Sequence, residues 1–196
     1  RRAIEMQMKK EAFDVIDQLN LDRKLPIGVC LFDETWHQGI IGLVAARVKE
    51  KVSRPVIAFA KVSPDTLKGS ARSVKGFDVY EAIEACSDLL VQFGGHKYAA
   101  GLTMKAENVE LFREKFEEVV SARISPELMV PEIEIDAPLS LNDIDGKFVR
   151  LLKQFAPFGP GNMNPVFYAG SVNDRGWLRI VGTNHLKMDI IDPSQP

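Results

Sequence analysis

Two short apolar runs, LPIGVCLF (25–32) and RPVIAFA (54–60), flank a segment of helical spacing, and no other feature constrains the chain as strongly. Ile40, Ile41, Val44, Ala45 and Val48 recur within 39–52 at the three-and-four spacing of a buried helix face. A buried strand, a helix and a second buried strand in succession need a crossover connection. Residues 25–60 are therefore expected to form a right-handed parallel unit. Pro55 stands at the start of the second run, where a missing N–H is tolerated.

The surrounding pattern extends this unit to a compact α/β domain over 25–124. TLKGSARSV (66–74) reads as a third strand, weakened by Gly69. DVYEAIEACSDLL (78–90) reads as a helix with Asp78 as its N-cap, and AAGLTM (99–104) as a fourth strand. Val109, Phe112, Phe116, Val119 and Val120 form one stripe of a helix over 107–124. Phe112 and Phe116 therefore have the spacing of core residues and not of a stacking platform. Ahead of the domain, residues 3–19 read as a helix with Ile4, Met8, Val15 and Leu19 on its apolar face.

A second region begins near Pro126. PEIEIDAPLSL (131–141) reads as an alternating strand, DGKFVRLLKQF (145–155) as a short helix and PFGPGNMNP (157–165) as a dense turn. VFYAGSV, WLRIVG and HLKMDII read as short, closely spaced strands, the beginning of a small antiparallel barrel with too few strands to close. The chain opens directly on helix pattern and stops just after a strand-like run, so both ends look cut from something longer.

Charge limits the functional classes. The net charge is −2 and the pI about 6.0, so the chain as a whole does not attract polyanions, and any nucleic-acid site must be a local patch. Residues 61–76 carry four bases and one acid, and residues 107–136 nine acids and three bases. Cys30 and Cys86 have no paired spacing, which fits a reducing compartment, two buried thiols and no zinc site. No run of about 18 apolar residues predicts a membrane span, and no signal-peptide pattern is read.

Three stretches can carry chemistry. In FGGHKYAAGLT (93–103), Gly94 and Gly95 follow what reads as a helix C-terminus, where a glycine cap is favoured. Adjacent glycines equally let backbone N–H groups turn toward a phosphate, with His96 as a further donor. From the residues alone both readings stand. In GSARS (69–73), strand geometry puts Ser70 and Arg72 on one face and Ala71 and Ser73 on the other. A hydroxyl beside a guanidinium suits a phosphodiester, although an Arg paired to a nearby carboxylate on a solvated edge is the commoner arrangement. ETWHQGIIG (34–42) puts Trp36 and His37 in the loop after a buried strand, on the usual ligand edge of an α/β sheet. Trp36 packed on the core and a satisfied His37 are the alternative there.

Other features are weaker. Glu132, Glu134 and Asp136 share a strand face, but without His or Cys a solvated face is the better reading. His185 stands alone. Phe167, Tyr168 and Trp177 could stack bases or fill a barrel interior. No Walker loop, G-x-S-x-G elbow or Cys/His nucleophile pair occurs.

Taken together and in order, WHQGIIGLVAARVKEKVSRPVIAFA, KGSARS, FDVYEAIEACSDLLVQFGGHKYAAGLT and FAPFGPGNMNPVF resemble the C-terminal half of the RecJ family, single-strand-specific 5′→3′ DNA exonucleases of the DHH phosphoesterase superfamily. The resemblance covers nearly the whole chain. It implies an α/β fold: a DHH-associated domain over 25–125, with a mixed, partly parallel sheet and flanking helices. Residues 1–24 would be the end of an interdomain connecting helix, and residues 126–196 a linker and a truncated OB-fold barrel. It implies Mn²⁺ or Mg²⁺ in the parent enzyme, bound by a DHH domain whose Asp-His-His motif this sequence does not contain. This half would then grip the substrate. Ser70, Arg72, Ser73, Gly94, Gly95 and His96 would hold phosphates, with His96 facing the substrate in a supporting catalytic role and His37 a second candidate. Single-stranded DNA is the implied partner, together with a single-strand-binding protein and a helicase, in the cytoplasm. Two alternatives stay open: a phosphodiesterase for short oligonucleotides or cyclic dinucleotides, and a non-catalytic nucleic-acid-binding scaffold.

Overall fold

The computed structural model describes residues 2–182 and 185–193; the abrupt chain ends read from the sequence, at Arg1 and at 194–196, lie outside them. β1 (Val29–Asp33) and β2 (Val56–Ser63) pair in parallel, joined by α2 (Ile41–Val52), as the two apolar runs require. β3 (Thr66–Arg72), β4 (Leu90–His96) and β5 (Ala99–Lys105) add antiparallel pairs, giving a five-stranded mixed sheet in the order β1-β2-β3-β5-β4. α1 (Arg2–Leu21), α3 (Val79–Glu84) and α4 (Val109–Arg123) complete this unit, which extends to Pro131.

The sheet divides its residues between two cores. Cys30, Ile57, Phe59, Leu67, Ala71, Leu102 and Met104 point to the side of α3 and α4, where Phe112 and Phe116 are fully buried. Phe112 meets Phe59 edge-on at 5.8 Å and stacks on Phe116 at 5.8 Å. Val29, Leu31, Val56, Ala58 and Ala60 point the other way, onto Met8, Ala12 and Ile16 of α1 and Ile41, Val44 and Val48 of α2. That second core stops at β2; past it α2 reaches only over β3, where Gly42 meets Ser70 and Arg72.

Several boundaries differ from the sequence reading, each for a local reason. β1 begins at Val29 and not at Leu25: Pro26 has no N–H to give, and the N–H groups of Ile27 and Gly28 are taken by the Glu117 carboxylate at 3.0 and 2.5 Å. β2 continues past Ala60 to Ser63 in a hairpin with β3. The helix expected over 78–90 is capped by Asp78, which accepts from Tyr80 and Glu81, but it ends at Glu84. A 3₁₀ turn over Ser87–Leu89 follows, and the chain is already a strand at Leu90. The apolar run LLVQF thus pairs with β5 instead of finishing a helix, and a short apolar run alone does not separate the two. Gly94 and Gly95 are therefore not a helix cap. They lie inside the edge strand β4.

From Glu132 a second unit begins. It holds α5 (Gly146–Gln154), capped by Asp145, and three strand pairs: β6 (Ala137–Pro138) with β7 (Phe167–Tyr168), β8 (Asn173–Asp174) with β11 (Ile190–Ile191), and β9 (Arg179–Val181) with β10 (His185–Lys187). No closed barrel forms among the described residues. The long alternating strand expected over 131–141 shrinks to Ala137–Pro138, because Ile133 and Ile135 are exposed and find no core. Glu132, Glu134 and Asp136 consequently share no strand face, and Asp136 is engaged with the backbone of Val166.

Candidate nucleic-acid interface

Beyond the part of β3 that α2 overhangs, the same face of the sheet is open. Register identifies its residues, since directly paired residues point to the same side. Lys68 of β3 lies opposite Thr103 of β5, which lies opposite Gln92 of β4; Ser70, Gly101 and Gly94 form the next row; Arg72, Ala99 and His96 form the third. The rows are about 6.7 Å apart along the strands, and the three strands span about 10 Å across. Nothing in these rows is acidic.

The middle row is almost bare, which makes it the floor of an open trough of about 380 Å³. Gln92 and Gly94 stand at its outer end on the sheet edge, and Ser70 at its inner end. The first turn of α2 stands over that inner end: Gln38 and Ile41 line it. Gly42 approaches so closely that a Cβ there would lie 2.9 Å from Arg72 Nη2 and 3.0 Å from Ser70 Oγ. A side chain at this position would have to push the Arg72 guanidinium aside. The trough is thus open at the β4 edge and obstructed at α2.

Arg72 is half-buried, and its Nη1 donates to the Ser70 hydroxyl at 3.1 Å and to the Ala71 carbonyl at 2.7 Å. Among the described residues no carboxylate pairs with it, so the surface ion pair that the sequence left as an alternative is not formed. Lys68 is exposed and likewise without an ion pair among the described residues. His96 is exposed at the end of β4, opposite Ala99, about 10 Å from Arg72 across the sheet.

The other expected site residues are placed differently. Ser73 is buried, its hydroxyl donating to the Phe77 carbonyl at 3.0 Å and its N–H to the Tyr98 carbonyl. It anchors the β4–β5 hairpin and cannot reach a phosphate. Gly95 faces away from the trough: with φ +149° it lies against Ala100, where a Cβ would come within 2.5 Å of the Ala100 Cα and the Ala99 carbonyl. Its role here is close packing within the hairpin. Gly94 does face the trough. Trp36 is buried in the α1–α2 core, its indole N–H donating to Glu11 at 3.0 Å. His37 is exposed, its Nδ1 accepting from the Gly39 N–H at 3.0 Å, and it is the neighbouring Gln38 that lines the trough.

Lys68, Gln92, Gly101 and Thr103 escaped the sequence reading. Residues 68, 70 and 72 alternate visibly within one strand, as do 99, 101 and 103. Their shared face becomes readable only once 90–96 is taken as the strand that completes the row. Nothing among the described residues gathers three or more His, Cys, Asp or Glu side chains into a metal site. No helix among them is long and apolar enough to cross a membrane.

Comparison with known proteins identifies the two domains. The DHHA1 domain matches residues 24–122, and the RecJ OB domain matches residues 135–196. A single-stranded-DNA-specific exonuclease RecJ of Salmonella typhimurium is 36% identical over 201 residues, 98% of this chain and 34% of that protein. The crystal structure of RecJ from Thermus thermophilus in complex with Mn²⁺ superposes with a TM-score of 0.78 at 27% identity, over 97% of this chain and 27% of that one. Its Mg²⁺ complex superposes with a TM-score of 0.74 at 26% identity, over 96% of this chain and 29% of that one. The chain spans between a fifth and about a third of the length of the curated relatives it matches. With an open-faced mixed sheet followed by a unit of short strand pairs, and with both domain families matched in that order, the chain belongs to the RecJ family and carries its DHHA1 and RecJ OB domains.

Proposed function

We propose that this chain is the substrate-holding part of a metal-dependent, single-strand-specific 5′→3′ DNA exonuclease acting in repair and recombination. The observation that carries the reading is the trough and what stands at its obstructed end: Ser70 lines it, and Arg72, hydrogen-bonded to the Ser70 hydroxyl and without a carboxylate partner among the described residues, sits directly behind, a donor pair that fits a phosphate. A groove open on one side and blocked by a helix on the other accepts the end of a strand more readily than its middle. His96 adds a donor on the same face, and Gly94 keeps the entrance low. His37 lies on the loop that brings Gln38 to the trough and is a secondary candidate.

The relatives' Mn²⁺ and Mg²⁺ would be held by residues outside this chain, since two-metal phosphodiester cleavage needs a set of carboxylates and imidazoles around both ions. Residues 25–125 would form the substrate-binding domain, residues 1–24 the end of a connecting helix, and residues 126–196 a linker and partial OB-fold that extends the grip on long strands. The match to an OB domain favours long strands over short oligonucleotides or cyclic dinucleotides. A cytoplasmic setting, with a single-strand-binding protein and a helicase as partners, follows from the same reading.

The test is direct. Residues 1–196 should bind a 5′-phosphorylated single strand in a salt-sensitive manner and release no nucleotides with Mn²⁺. Arg72→Ala should weaken that binding. Metal-dependent degradation by the purified chain would overturn the division of labour, and unchanged affinity in Arg72→Ala would remove the trough from the site.

A further inference from the structure

Building on the single-strand reading above, we propose that Lys68 is a second phosphate contact, and that Gly94 and Gly101 form a bare floor over which the sugar–phosphate backbone crosses the sheet. The argument starts from what each glycine does for the fold. Gly69 has an internal reason: a Cβ there would lie 2.6 Å from Phe59 and 2.8 Å from Leu102. Gly95 has another, in its positive φ and its contact with Ala100. Gly94 and Gly101 have none. A Cβ at either would meet nothing within 4 Å, and neither has a positive φ. Glycine inside a strand costs stability relative to alanine, and a strand glycine with no neighbour marks a place where something else approaches the backbone.

The two lie directly opposite each other on adjacent strands, in the row between Lys68 and Arg72. A polymer lying in this row passes one cation on each side. Arg72 is fixed by its bonds to Ser70 and Ala71, so it can hold one phosphate in a set position. Lys68 is an exposed point charge on a flexible stem, suited to a neighbouring phosphate whose position varies. The floor and the second cation thus have separable duties: one admits the backbone, the other neutralises it.

Binding of a 5′-phosphorylated oligodeoxynucleotide to residues 1–196, measured over a range of salt concentrations, separates them. Lys68→Gln should reduce the slope of log K against log salt by about 0.7, the contribution of one phosphate contact on a single strand. Gly101→Ala and Gly94→Ala should lower affinity on the order of tenfold at every salt concentration, leaving the slope unchanged and the thermal midpoint unchanged or raised. An unaltered slope in Lys68→Gln overturns the phosphate contact. Unaltered affinity in Gly101→Ala, or a thermal midpoint several degrees lower, overturns the floor. Either result with binding intact and Arg72→Ala impaired leaves the single-strand reading standing; a wild-type chain that binds no single strand overturns both.

Discussion

Arg72 donates a 3.1 Å hydrogen bond to the hydroxyl of Ser70, two residues back on the same strand face, so the two side chains form one donor unit. Bonds to a charged donor contribute about 1.5–3 kcal/mol. Arg72→Ala should therefore weaken single-strand binding roughly tenfold to a hundredfold. Ser70→Ala should weaken it less, and the double variant should lose less than the sum. Arg72→Lys should fail to restore affinity, because an ammonium cannot reproduce the planar fork. Anisotropy titrations of the four proteins give the cycle, and additive losses would show that the two act separately.

Gly95 and Gly94 are adjacent in sequence and opposite in consequence. Gly95→Ala places a methyl 2.5 Å from the Ala100 Cα on a backbone with φ +149°. Strain of this kind costs about 1–3 kcal/mol, and relief requires the hairpin to shift. Thermal unfolding should show a clear loss for Gly95→Ala. A midpoint equal to wild type would mean that the hairpin accommodates the methyl freely.

Glu11 joins α1 to the loop that leads into α2. Its Oε2 accepts the Trp36 indole N–H at 3.0 Å and its Oε1 accepts from Gln7 at 3.0 Å. Glu11→Ala strands a buried N–H, at a cost of about 1–3 kcal/mol in denaturant unfolding, whereas Glu11→Gln keeps an acceptor and should cost less. Equal stabilities for Glu11→Ala and wild type would refute the role of this bond.

Cys30 and Cys86 are both buried. Burial pushes the Cys86 thiol up to about 11 and raises that of Cys30 further, in each case by desolvating the thiolate. At pH 8 the native protein should resist thiol reagents, and both cysteines should label together once it unfolds. Rapid labelling of either in the native state would contradict their burial.

The parallel unit was legible in the sequence because two apolar runs and a periodic helix leave little choice of connection. The face built on Ser70 and Arg72 was legible as well, since alternation within one strand needs no tertiary knowledge. The register of β4 was not. LLVQFGGH carries an apolar run that helix and strand share, and its pairing with β5 is set by Leu90 and Phe93 against the α3–α4 core, a long-range choice. With β4 misread, a helix cap stayed open as a reading of Gly94, when it is the cross-strand neighbour of Gly101. Ser73 read as part of the grip by its nearness to Ser70 and Arg72, although strand parity alone puts it on the opposite face.

The two outer strands of the sheet are finished differently. At β1, helix α4 supplies both kinds of partner: Glu117 takes the Gly28 N–H, and Arg113 donates to the Cys30 carbonyl at 3.1 Å. At β4, the boundary is a bulge at Val91 and two glycines. Filaments grow by docking one free border onto another, copy after copy, and need both borders vacant. With Glu117 and Arg113 already holding backbone groups at the β1 end, β4 is the freer border, so self-association through this sheet should pair β4 with β4 and favour two chains over longer assemblies.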